Sequence, residues 1–122
     1  MYFPVSGWVA AFAITLAVEI PVAIYLLRRS QPDLVRLGLL IVLANLATHP
    51  IVWYVIGQVL MVGTAGYTLV AEAWAIGVEA VFYAVTIPNV SARRALAVAV
   101  AANTASFIAG RVVGAVRPDL FG

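Results

Sequence analysis

Cysteine and lysine are both missing from this 122-residue chain, and histidine occurs once, as His49. Without cysteine there are no disulfides and no thiolate metal sites, and the redox compartment is unreadable. Without lysine no cofactor can be held as a Schiff base. One histidine cannot ligate a haem from both faces. The Glu-x-x-His pattern of carboxylate di-metal bundles does not occur. Neither does a Gly-rich phosphate loop or a nucleophile elbow. These absences point away from an enzyme, and no metal or cofactor is expected.

Charge is scarce too. Only 10% of the residues are charged and 65% are hydrophobic, and the mean hydropathy is +1.08. A soluble domain of this size needs far more polar surface. All seven basic residues are arginines, and most sit at the ends of apolar runs, as membrane flanks do. The pI near 9.4 is therefore not read as a nucleic-acid signal. The partner expected is the lipid bilayer.

Four stretches are long enough to cross ~30 Å of hydrocarbon at about 1.5 Å per residue. They cover about 7–28, 35–61, 66–87 and 93–116. "RRSQPDLVR", "MVGTAG" and "IPNVSARR" separate them with turn-forming residues. The first run follows "MYFPVSGW" without a basic segment and stops at Arg28-Arg29 without a small-residue cleavage pattern, so it reads as a retained helix rather than a signal peptide. The expected fold is an all-α integral membrane protein, a four-transmembrane-helix bundle forming one domain over 1–122.

Arginine placement sets the expected orientation. Arg28, Arg29 and Arg36 flank the first loop, and Arg93 and Arg94 lie in the third. The positive-inside rule puts loops 28–36 and 88–94 in the cytoplasm and both termini outside a bacterial-type inner or plasma membrane. Trp8, Trp53, Trp74, Tyr54 and Tyr67 then favour the outer half, as interfacial anchors do.

The two halves resemble each other. "RLGLLIVLANLAT" from Arg36 aligns without gaps on "RALAVAVAANTAS" from Arg94, and "AFAITLAVE" ending at Glu19 aligns on "AEAWAIGVE" ending at Glu79. Alanine and valine match cheaply here, but the ordered series Glu, Arg, Asn uses scarce residues. A duplicated hairpin is expected, with repeats at about 7–61 and 66–116. Both repeats start on the same side, so they are parallel, related by an axis along the membrane normal.

Each repeat then places one carboxyl and one amide near mid-membrane: Glu19 with Asn45, and Glu79 with Asn103. An ionised carboxylate costs several kcal/mol there. A neutral glutamate donating to the asparagine carbonyl is the cheapest expected pairing. Such a layer can be interhelical glue, typically worth about 0.6 and at most ~2 kcal/mol per hydrogen bond. It can also bind and release protons or cations. His49, ~6 Å outward of Asn45 at helical rise, is placed for a relay or for packing.

Glu72 and Arg111 lie about 10 and 12 Å outward of Glu79 and Asn103. Sharing a depth, they are expected to form a salt bridge. Pro21 and Pro50 lack the amide N–H that would bond Ala17 and Leu46, so each is a candidate kink that frees a carbonyl. Ser106, Gly110 and Gly114 form a small-residue stripe suited to close packing within the chain or between copies. The leading expectation is proton- or cation-coupled transport or conduction, in a homo-oligomer or larger membrane complex. The competing one is an accessory or structural subunit of a larger complex, with the polar layer as glue.

Overall fold

The computed structural model describes residues 5–121. Residues 1–4, part of the N-terminal flank considered above, and Gly122 lie outside the described residues. Four long helices dominate: α1 (Val5–Leu27), α2 (Leu34–Val59), α3 (Ala65–Thr86) and α4 (Ala92–Val116). All four are long and apolar enough to cross a membrane. At about 1.5 Å per residue the shortest, with 22 residues, still reaches ~33 Å. Their ends fall within two residues of the spans expected from sequence.

The loops start helices by side-chain capping. Asp33 accepts from the backbone N–H groups of Val35 and Arg36, each at 3.1 Å. Thr64 accepts from Tyr67 N–H at 3.3 Å, and Ser91 from Arg94 N–H at 3.1 Å. Each cap satisfies donors that the first helical turn leaves open. Asn89 turns the third loop with φ 60°, a left-handed conformation that asparagine tolerates. Arg94 then ties the first and third loops together. Its guanidinium donates to Ser30 Oγ at 2.9 Å and to the carbonyl of Leu26 at 2.7 Å.

The two prolines differ in outcome. Helix α1 passes through Pro21, which is exposed. In α2 a π-helical turn, Val52–Ile56, begins two residues after Pro50. The lost proline donor and the wider turn coincide, as they do where helices are locally unwound.

Each helix packs on the next, and α4 closes the ring on α1. The alanine-rich α4 packs against α1 and α3 more extensively than the leucine-rich α2 does. Large apolar side chains such as Leu39, Leu43, Val81 and Val85 project outward, as a lipid-facing surface requires. The apolar core is concentrated at the end carrying loops 28–33 and 87–91. There Ala23, Leu27, Leu37, Ile41, Tyr83, Ile87, Ala95 and Val98 form one buried cluster.

Candidate functional site: a buried carboxyl layer beneath a cavity

Above that core lies a polar layer drawn from all four helices. Glu19 and Glu79 are each 1% exposed, Asn45 1% and Asn103 6%. Four polar side chains at helix centres can be buried only where other helices cover them, so this layer faces the bundle interior.

The connections are specific. Ser106 Oγ on α4 donates to Glu19 Oε1 on α1 at 2.7 Å. Asn103 Nδ2 on α4 donates to Glu79 Oε2 on α3. The second proton of the same amide goes to the carbonyl of Ala99 at 2.9 Å. Asn45 Nδ2 likewise donates to the carbonyl of Ile41 at 3.0 Å. The amide of Asn103 is thus the donor and the carboxyl of Glu79 the acceptor, the reverse of the polarity expected from sequence. Both amides anchor to their own helix one turn back, which fixes the direction of the remaining N–H.

Thr48 and Ser106 extend the layer. Thr48 Oγ1 shares its single proton between the carbonyls of Ala44 and Asn45, both at 3.3 Å. Ser106 Oγ also lies 3.1 Å from the carbonyl oxygen of Asn103, the longer alternative for its single proton. Five buried polar atoms find no partner among the described residues: Glu19 Oε2, Glu79 Oε1, Tyr83 OH, His49 Nδ1 and Trp8 Nε1.

A cavity of about 210 Å³ reaches this layer from the end that carries loop 60–64. Its floor includes Glu19, Asn45, Asn103 and Ser106, and its walls include Thr15, His49, Trp53, Glu72, Gly110, Arg111 and Phe121. Glu79 is not part of the lining and sits behind Asn103. His49 stands on the cavity wall with Nε2 3.4 Å from Thr15 Oγ1. It is packed among aromatic rings, with centroids 5.3 Å from Phe12, 6.4 Å from Trp8 and 6.5 Å from Trp53.

Glu72 and Arg111 share the cavity wall without a direct ion pair. The ion pair found among the described residues joins Arg117 and Asp119 at 2.8 Å. Equal depth therefore did not bring Glu72 and Arg111 into a direct ion pair. The small-residue stripe of α4 is used inside the chain. Ser106 holds Glu19, Gly110 lines the cavity, and a Cβ on Gly114 would touch the Phe121 ring at 3.4 Å.

Ser106, Thr15 and Tyr83 were not singled out from sequence as members of the site. Thr15 stands four residues before Glu19, and Tyr83 four after Glu79. Residues four apart share a helix face, and that spacing was the available signal. Phe121 had none, because only the chain's return over α1 brings it to the cavity.

These features define a class: a membrane-spanning helix bundle with a buried carboxyl and amide layer. Its nearer kinship stays open, since no family model, curated protein or solved structure matches this chain.

Proposed function

We propose that the bundle couples the movement of protons or cations to its buried carboxyls, with Glu19 and Glu79 as carriers. The supporting observation is the cavity, which runs from one end of the bundle and stops on Glu19. A layer serving only as glue has no need of a path from the aqueous phase. Asn45, Asn103 and Ser106 orient the carboxyls, and His49 stands on the route from the mouth to Glu19. No residue of the buried apolar cluster lines the cavity, so passage to the far side requires that cluster to open.

The reading extends to symmetry and orientation. We read the bundle as two parallel copies of one hairpin. Leu37, Ile41, Ala44, Asn45 and Thr48 are buried in α2, and Ala95, Ala99, Ala102, Asn103 and Ser106 are buried at the same spacing in α4. Superposing 11–27 plus 36–52 on 71–87 plus 94–110 should give a rotation near 180° about the membrane normal. The arginine-bearing loops are assigned to the cytoplasm. A cysteine at Thr64 should then react with an impermeant thiol reagent on intact cells, and one at Ser91 should not.

The deciding experiment is flux in proteoliposomes. Glu19→Gln or Glu79→Gln should keep expression and detergent-extracted mass, because glutamine is nearly isosteric and can still hydrogen-bond. Proton or cation flux should fall to the protein-free background. A wild-type protein that moves nothing under any proton or cation gradient would falsify transport. The bundle would then be read as an accessory subunit of a larger complex.

A further inference from the structure

Two of the five unpartnered buried atoms belong to the same pair of side chains. Glu19 uses Oε1 to accept from Ser106, and Glu79 uses Oε2 to accept from Asn103. What remains is Glu19 Oε2 and Glu79 Oε1, both buried and both without a donor. Their partners on α4 stand three residues apart, with Ser106 Oγ 3.1 Å from the carbonyl oxygen of Asn103, so the two carboxyls meet α4 within one helical turn.

An ionised carboxyl only accepts hydrogen bonds, so two carboxylates cannot satisfy each other. Two ionised carboxyls this close and this buried repel strongly. Two neutral carboxyls carry two protons, and the second would have to displace Ser106 or Asn103 as donor or stay without an acceptor. One proton satisfies both unpartnered oxygens: the protonated carboxyl donates and the other accepts, with net charge −1.

We propose that Glu19 and Glu79 hold one proton between them and act as a single acid. The sequence suggested two separate carriers, one per hairpin, and the folded bundle merges them. Glu19 lines the cavity and Glu79 does not. The shared proton therefore exchanges with the cavity through Glu19, while Glu79 receives it on the inner side. The other titratable groups facing the pair are Tyr83 on the inner side of α3 and, along the cavity, Glu72 on α3, His49 on α2 and Arg111 on α4. None of these donates a hydrogen bond to the two free oxygens.

The assignment concerns the carboxyls of the proposed transport step and rests on that reading only for its meaning in turnover. Infrared spectroscopy tests it without any flux measurement. Full-length protein labelled with carboxyl-¹³C glutamate, in lipid bilayers near neutral pH, carries Glu72→Gln so that only the two carboxyls contribute. The protonated-carboxyl band should correspond to one proton per chain. Glu19→Gln and Glu79→Gln should each change the spectrum of the carboxyl that remains. A band worth two protons, or none, would overturn the shared proton. So would single-variant difference spectra that sum to the wild type, since independent carboxyls add. The wild-type proton count stands even where a variant fails to fold. A coupled pair in a protein that moves nothing would sink transport alone, and transport with two independent carboxyls would sink the shared proton alone.

Discussion

At the end carrying loops 28–33 and 87–91, Leu27, Leu37, Ile41, Tyr83 and Val98 interlock, none of them more than 3% exposed. At the other end the same four helices enclose about 210 Å³ of empty space. Helix length and composition do not separate the two ends; the sizes of facing residues do. Under the proposed repeat, positions 58 or 60 residues apart pair a large residue with a small one at the solid end: Leu37 with Ala95, Ile41 with Ala99, Tyr83 with Ala23. Next to the polar layer at the hollow end three such pairs have two small members: Thr15 with Ala75, Ala11 with Ala71, Thr48 with Ser106. Large-with-small pairs fill the axis of a bundle, and small-with-small pairs leave it open.

The largest expected effect breaks the solid end. Leu37→Ala removes a fully buried side chain where neighbours cannot close in, and should cost about 2–5 kcal/mol in a reversible unfolding assay. Thr15→Ala, on the cavity wall, should cost far less. Equal losses at the two positions would erase the contrast.

A smaller effect is expected at the cap of the hollow end. The turn Pro118–Phe121 lies over α1, and a Cβ on Gly7 would sit 2.6 Å from the carbonyl oxygen of Phe121. Gly7→Ala should displace this turn at a cost of about 1–3 kcal/mol, and raise the reactivity of a cysteine placed at Gly110. Unchanged reactivity would show that Phe121 does not restrict the mouth.

Filling the hollow should hardly change stability and should strongly change function. Ala75→Leu puts a large side chain opposite Thr15. Melting should stay near that of the wild type, while flux and cysteine labelling at Gly110 both drop. A folded, unaltered transporter would mean that the cavity is not the route.

The smallest effect is expected outside the membrane. The Arg117 guanidinium holds the Asp119 carboxyl below its usual range. A lowered carboxyl value means that the pair contributes above the unfolded Asp pKa and is lost as pH falls through the folded one. Both side chains are 60% exposed, so solvent screens the pair. Asp119→Asn should leave the melting temperature unchanged within replicate scatter.

The sequence by itself determined the four membrane spans, because length and hydropathy decide what can cross hydrocarbon. It also marked the scarce polar residues of the central layer, because an acidic or amide side chain in an apolar run has to be covered by protein. The helix starts were readable as well, since Asp33, Thr64 and Ser91 cap through bonds to residues two or three positions away. Only the tertiary structure decided which of these polar groups meet. It set Ser106 against Glu19, turned the Asn103 amide toward Glu79, and brought the two carboxyls of separate hairpins together. It also left Glu72 and Arg111 without a direct ion pair despite their equal depth. Depth along a helix follows from counting residues, but rotation about the helix and the gap to its neighbour depend on side chains distant in sequence. Those side chains left one end of the bundle hollow and filled the other.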